Sequence, residues 1–406
     1  MTASRETIYD ELGVPSVINA TGTKTRIGGT LIREEALEAM NRAAEAFVRL
    51  SDLQAAASER IAEVTGAEAG YVTNGASSAL VLGTAACIAG DDLEVMARLP
   101  DTDGIPSEVV MPRTHRNGYD HAIRVAGAEI VDVGGNDHHL GTGSENTEPW
   151  ELEAAITEET VAVAYMEKPF TRPPLSAVVE IAHAHDVPVI VDAAAELPPT
   201  ENLSRFVEQG ADLVAFSGGK AIRGPQSSGI LAGREELIRS VARQHLDMHA
   251  SEPVYDPPES LVAIDELPGV PRQGLGRSMK IGKEELVGLI AALDAFAEQD
   301  DEAVLAEWHD RAERIAAALE TVDGLEVELA NAGKTDAVST VVVGVDEERS
   351  AIDTVELVSN LRRESPRVFV GADDVHRSCF TINPRCLLDE QVEYVVERIA
   401  AHVDPE

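Results

Sequence analysis

From about residue 55 onward, short β-branched runs alternate with stretches in which apolar residues recur at helical spacing. The runs AGYVTN at 69–74, SEVVMP at 107–112, AEIVDVG at 128–134, TVAVAYME at 160–167, VPVIVDAA at 187–194, DLVAFSG at 212–218 and SGILAG at 228–233 predict strands. Helical patterns fall between them at 151–157, 175–185 and 202–209. Strands joined by crossover helices predict a mostly parallel sheet, and runs that are almost continuously apolar predict one covered on both faces. GASSALVLGTAACIAG at 75–90 is the most apolar stretch of the chain. Turn signals bound it and it is shorter than the ~20 residues that span a bilayer, so a buried helix is expected.

The pattern changes after the Pro-rich stretch at 253–271. One long helical pattern at 283–320 leads to strand-like LEVELA at 325–330 and STVVVGV at 339–345, then a helix at 351–363. Two further strands, RVFVGA and SCFTIN, precede a closing helix from Asp389. The expected organisation is an N-terminal segment over 1–50, a large α/β domain over 51–290 and a smaller α+β domain over 291–406.

Composition alters this picture in one respect. Acidic residues outnumber basic ones 72 to 33 in a chain of 406 residues, giving a formal net charge of −39 spread along its whole length. Lysine occurs only at positions 24, 168, 220, 280, 283 and 334. An acidic, lysine-poor surface is what a high-salt cytoplasm favours, because screening reduces the self-repulsion of so many carboxylates; an ordinary acidic protein is the alternative. Nucleic acid is not an expected partner, since phosphate neutralisation needs clustered Lys and Arg. Cys87, Cys379 and Cys386 form no CxxC pair or disulfide framework, and MTASRETIYDEL lacks the regions of a signal peptide, so a cytoplasmic protein without a membrane partner is expected.

Three segments carry the chemistry. In FSGGKAIRGPQSSG at 216–229, Lys220 follows a strand among glycines that permit tight turns and close approach to a ligand. Alone it is equally compatible with a solvated turn lysine. In VPVIVDAAAELPP, Asp192 ends a strand expected inside the sheet, where α/β folds place ligand contacts and where a buried carboxylate needs a partner. A protonated pyridine nitrogen is such a partner; capping of the next element is the other reading. In YVTNGASSAL, a strand runs into Gly75, Ala76, Ser77 and Ser78 at a helix start whose amides and dipole suit a phosphate, although no Walker GK[ST] is present. His138, His139, His183 and His185 lack metal-site spacing, so no metal is expected.

The order phosphate loop, aspartate, lysine, each at a strand end, resembles the fold-type I pyridoxal-phosphate enzymes. INATGTKTRIGG near the start, the phosphate loop, DAAAELPP, FSGGKAIRGPQSSG and GRSMKIGKEEL are similar to the bacterial selenocysteine-synthase-like group, and its ammonia-lyases acting on D-glucosaminate 6-phosphate look most alike. The likeness runs from about residue 14 to 300. It implies an aminotransferase-like fold and pyridoxal 5'-phosphate as cofactor. Lys220 would be the Schiff-base lysine and Asp192 the partner of the pyridine nitrogen. Ala194 would lie against one ring face and His115 would stack on the other, with Ser217 adding a phosphate hydrogen bond. Lys24, Arg26, Arg277, Lys280 and Arg385 become candidate contacts for a substrate phosphate or carboxylate.

The expected reaction is removal of the Cα proton by Lys220, loss of the C3 hydroxyl, and release of ammonia from a phosphorylated or sugar-derived 2-amino-3-hydroxy acid. Selenium transfer to seryl-tRNA is the alternative, disfavoured by the short segment before the catalytic region and by Gly219 where those transferases carry an acidic residue. A class V aminotransferase activity on a small amino acid is a third reading. A homo-oligomer is expected, as sites in this fold are completed by a neighbouring subunit.

Overall fold

The computed structural model describes residues 7–135, 147–168, 171–246, 251–272, 274–331 and 338–404. Its strands, numbered along the chain, are β1 Val17–Ala20, β2 Ala69–Thr73, β3 Glu108–Pro112, β4 Glu129–Val133, β5 Thr160–Met166, β6 Val189–Asp192, β7 Leu213–Ser217, β8 Gly229–Gly233, β9 Leu325–Ala330, β10 Thr340–Val345, β11 Arg367–Val370 and β12 Cys379–Ile382. Two units contain them: Ile32–Glu298, and Met1–Leu31 with Gln299–Glu406.

The large unit is built on a seven-stranded sheet in the order β2-β8-β7-β6-β5-β3-β4. Each expected run from 69 to 233 is a strand, and β3 to β7 are parallel where they pair. SGILAG differs in direction: β8 is antiparallel to both β7 and β2. Ser217 faces Gly229 across the pair, so the Lys220 loop returns the chain directly, and a connection without a crossover helix can only join antiparallel neighbours.

Successive side chains leave a strand on opposite faces, so a run without polar alternation buries both. Ile190, Leu213 and Leu231 meet Leu80, Leu82 and Ala85 of helix Gly75–Ala89 on one face. Val191, Val214 and Phe216 meet Leu203, Phe206, Leu286 and Leu293 on the other. Each such fully buried side chain contributes about 1.5–3 kcal/mol. The free edge of β2 is sealed by helix Leu50–Thr65, whose Gln54 side chain donates to the Val72 carbonyl at 2.8 Å and accepts the Val72 N–H at 3.1 Å.

The expected boundaries shift at both ends. The helical pattern at 283–320 is two helices, Lys283–Ala297 and Asp301–Leu319, separated where the Asp300 side chain accepts the Ala303 N–H at 3.1 Å. The first stays with the large unit because Leu286, Leu289, Leu293 and Phe296 are buried in its core. At the N-terminus, β1 pairs in parallel with β11, which carries residues 1–31 into the smaller unit. Residues from 32 belong to the large unit, where the Arg33 N–H donates to the Arg223 carbonyl at 2.9 Å. The smaller unit adds an antiparallel sheet, β12-β10-β9, and helices Thr354–Leu361 and Asp389–Val403. Among the described residues no helix is long and apolar enough to cross a membrane.

A buried histidine ties three elements of the large unit together. His245 lies 2.9 Å from the Tyr71 hydroxyl through Nδ1 and 3.1 Å from the Met279 carbonyl through Nε2. A carbonyl can only accept, so Nε2 carries the proton and the Tyr71 hydroxyl donates to Nδ1. Burial pushes the His245 pKa down to about 4, and that of His115 likewise. A histidine depressed below its unfolded value contributes stability that is present above pH ~6.5 and is lost as pH falls toward 4, by up to about 3 kcal/mol each. Asp192 and Glu167, raised by burial, act in the opposite sense. Urea unfolding between pH 6.5 and 4 should therefore be less steeply pH-dependent in His245→Gln than in the wild type; identical slopes would sink the neutral-histidine assignment.

Candidate active site

The three segments expected to carry chemistry meet at the C-terminal edge of the large sheet. Thr73 of β2 faces Gly229 of β8, Gly229 faces Ser217 of β7, and Ala215 of β7 faces Asp192 of β6. The phosphate loop, the Lys220 loop and Asp192 thus leave neighbouring strands, spread over about 15 Å at strand spacing.

Gly75 opens the phosphate loop at φ +81°, and the helix Gly75–Ala89 starts there without a side-chain cap from Asn74. The first amides of the helix, Gly75, Ala76, Ser77 and Ser78, have no intrahelical acceptor and form an anion cradle with the positive end of the dipole. The cradle touches β8 so closely that a Cβ on Gly229 would stand 2.4 Å from the Gly75 carbonyl carbon and 2.6 Å from the Ala76 nitrogen. Gly229→Ala must move this backbone. We expect at least a tenfold weaker cofactor and a loss of about 1–3 kcal/mol of stability. An absorbance titration of apoenzyme giving wild-type affinity would contradict it.

The loop bearing Lys220 is a knot of backbone bonds. Gly218 N–H donates to Ser228 O at 2.9 Å, Gly224 N–H to Gly218 O at 2.8 Å and Arg223 N–H to Lys220 O at 3.1 Å, while Arg223 takes φ +60°. Gly219 admits no side chain, since a Cβ would lie 2.6 Å from the Gln226 Cα. An acidic side chain has no room there without rebuilding the loop.

Asp192 is partly buried, and its enclosure pushes its pKa above the usual carboxylate range. The Ala194 N–H at 3.1 Å and the positive charges of Lys220 and Lys168 pull the other way. With Asn117, Tyr119 and Met166 it lines a small cavity at the strand ends. A carboxylate on a desolvated strand end, a lysine in a glycine knot and a cradle of free helix amides fit the ring nitrogen, aldehyde and phosphate of pyridoxal phosphate.

His115 lies close by but is wholly enclosed. Its ring stands edge-on to Tyr165 at 4.7 Å, Nδ1 accepts the Met166 N–H at 3.4 Å, and Nε2 has no hydrogen-bond partner among the described residues. No face of the imidazole is open, whereas Tyr119, four residues on, is 60% exposed beside the Asp192 cavity.

The cationic candidates form two groups. In the large unit, Arg277 and Lys280 belong to a segment anchored by His245 and by the Asn74 side chain, which donates to the Lys280 carbonyl at 3.3 Å directly before the phosphate loop. In the smaller unit, Asn19 holds the turn bearing exposed Lys24 and Arg26 by donating to the carbonyls of Gly22 and Gly29. Arg385 lies alongside this turn, as Asn383 N–H donates to Ala20 O and the Cys386 thiol contacts Gly29 O. Its guanidinium sits 5.2 Å over the Trp308 ring, and burial lowers its pKa. His138 and His139 fall outside the described residues, and no group of three or more metal-capable side chains occurs within them.

Sequence reasoning did not single out Lys168, Glu196, Asn117 or Tyr119. Lys168 and Glu196 do carry a signal: each is a charged residue just past the end of an apolar run, in YMEK and in DAAAE.

Comparison with known proteins bears on the same chemistry. The aminotransferase class-V profile matches residues 121–355. D-glucosaminate-6-phosphate ammonia lyase of Salmonella typhimurium (strain 14028s / SGSC 2262) is 32% identical over 97% of this chain and 96% of its own length. A 5'-C-glycyluridine monooxygenase-decarboxylase of Streptomyces sp is 30% identical over 98% and 92%. An L-seryl-tRNA(Sec) selenium transferase of Desulfovibrio desulfuricans (strain ATCC 27774 / DSM 6949 / MB) is 27% identical over 57% and 50%. A solved structure of D-glucosaminate-6-phosphate ammonia-lyase superposes with a TM-score of 0.79 at 30% identity, covering 99% of this chain and all of its own. The chain thus belongs to the aminotransferase class-V family of pyridoxal-phosphate enzymes.

Proposed function

We propose that the protein is an ammonia-lyase acting on a phosphorylated or sugar-derived 2-amino-3-hydroxy acid such as D-glucosaminate 6-phosphate. The observation that carries this reading is the convergence of Lys220, Asp192 and the phosphate cradle on one sheet edge, in a chain similar along its whole length to such a lyase. Pyridoxal phosphate supplies an electron sink for negative charge at the substrate Cα. Asp192 holds a proton on the ring nitrogen. The Gly75–Ser78 amides and Ser217 hold the cofactor phosphate and Ala194 lies against one ring face, whereas His115, expected on the other face, is enclosed on every side and is left out of the ring contacts. The Lys220 ε-amino group takes the Cα proton, and the C3–O bond breaks with loss of water. Water then hydrolyses the free enamine, so one 2-amino-3-hydroxy acid yields one 2-keto-3-deoxy acid and one ammonia.

Arg277 and Lys280, fixed beside the cradle, are offered as contacts for the substrate's anionic groups. A second reading follows from the glycyluridine relative, which is nearly as similar over nearly the same length. The deciding assay gives the holoenzyme D-glucosaminate 6-phosphate, 5'-C-glycyluridine and seryl-tRNA in turn. Equimolar ammonia and keto acid from the first are expected. Oxygen uptake with CO2 release from the second, or modified tRNA from the third without keto acid, would move the function elsewhere. Repeating it at low and molar salt with light scattering tests the proposed setting, a homo-oligomer in a saline cytoplasm: full activity as a monomer at low salt would remove it.

A further inference from the structure

Met166, the last residue of β5, faces Asp192 across the parallel pair, and the Glu167 N–H donates to the Asp192 carbonyl at 3.1 Å. The next two residues, Glu167 and Lys168, therefore leave the sheet edge beside the Asp192 backbone. Glu167 goes to Arg205, 2.6 Å away. Lys168 pairs with Glu196, four residues past Asp192.

Both partners of this second pair are held. The Lys168 N–H donates to the Thr171 hydroxyl at 3.3 Å, and that hydroxyl donates to the Lys168 carbonyl at 2.8 Å. Glu196 is held by its own N–H, which donates to Ala193 O at 3.2 Å, and by the Asn202 amide, which donates to its carbonyl at 2.6 Å. The Glu196 side chain is only 11% exposed. In a chain with six lysines, the positive charges of two, Lys220 and Lys168, act on this one carboxylate.

Resting on the cofactor reading above, we propose that Lys168, anchored by Glu196, is a positioning residue for Asp192: a second fixed positive charge that keeps the carboxylate anionic toward the ring nitrogen. Lys220 cannot fill this role throughout the reaction, because as the base for the Cα proton it must be neutral. Lys168 takes no part in bond making. Around the pair, Glu196 anchors Lys168, Glu167 pairs with Arg205, and burial keeps His115 neutral. Burial of Asp192 raises its pKa and Lys168 opposes that rise, in the sense required.

The test follows the visible absorbance of the lysine-bound cofactor against pH in holoenzyme, with thermal melting in parallel. Loss of a nearby positive charge and a less protonated ring both make the imine nitrogen more basic. Lys168→Met should therefore raise the titration midpoint by about one pH unit, a tenfold change in proton affinity, with Lys168→Arg restoring most of it. A Lys168→Met titration that overlays the wild type overturns the assignment, even if melting falls, because it leaves Lys168 a purely structural ion pair. A wild-type protein with no borohydride-reducible band overturns the cofactor reading itself and the assignment with it.

Discussion

Lys220→Ala is expected to abolish the borohydride-reducible link to the cofactor and to lower turnover by at least about 10³-fold, since the substitution removes both the covalent anchor and the general base. The fold should survive. The loop is shaped by backbone bonds from Gly218, Arg223 and Gly224 and by the glycine contacts with Ser228 and Gln226, none of which uses the Lys220 side chain. A change in stability within about 1 kcal/mol is the corresponding expectation. Peptide mapping after reduction is the check. A reducible link that persists in the variant would show that another lysine carries the cofactor, and Lys168 is the one to look for, because its charge too acts on Asp192. Wild-type and Lys168→Met proteins both labelled at position 220 would exclude that exchange.

Elements of this fold differ in how plainly the amino-acid sequence signals them. The strands β2 to β8 are legible because burial on both faces leaves near-continuous apolar runs, and the site residues at their ends inherit that clarity. The direction of β8 is not, since Gly229–Gly233 reads the same either way and only the lack of a crossover helix distinguishes them. Residues 17–20 escape notice for a different reason: the four-residue VINA becomes a strand through its long-range partner β11, which no local pattern announces. The break at Asp300 is hidden because an aspartate cap inside an acidic, helix-favouring stretch looks like another surface carboxylate.

At the site, the lysine, the aspartate and the phosphate loop are legible from their places at strand ends, whereas the Lys168–Glu196 pair depends on the β5–β6 register, and that is tertiary information. The resemblance assigns His115 a stacking role that its sequence context alone could not test. Its full enclosure against Tyr165 is a packing fact that emerges only when β3 and β5 lie side by side.

Asp192→Asn should separate catalysis from architecture more sharply than any other substitution in the site. Asparagine keeps the side-chain shape and an oxygen able to accept the Ala194 N–H, now 3.1 Å from Oδ1, so the β6 terminus has no reason to move. What it loses is the negative charge. An uncharged amide cannot hold a proton on the ring nitrogen, and the electron sink weakens at the step where charge develops on Cα. Electrostatic contributions of this kind are worth about 10²–10³ in kcat. Stability should shift the other way, because burial already penalises the anion and raises its pKa, so replacing it with a neutral group removes a desolvation cost at neutral pH. The loss of attraction to Lys220 and Lys168 offsets part of that gain. We therefore expect kcat to fall by about 10²-fold or more while the melting temperature stays level or rises. The pairing of the two measurements decides the role. Turnover at the wild-type level would end the assignment of Asp192 to the ring nitrogen, and a parallel collapse of melting temperature and activity would make it a structural residue of the sheet edge.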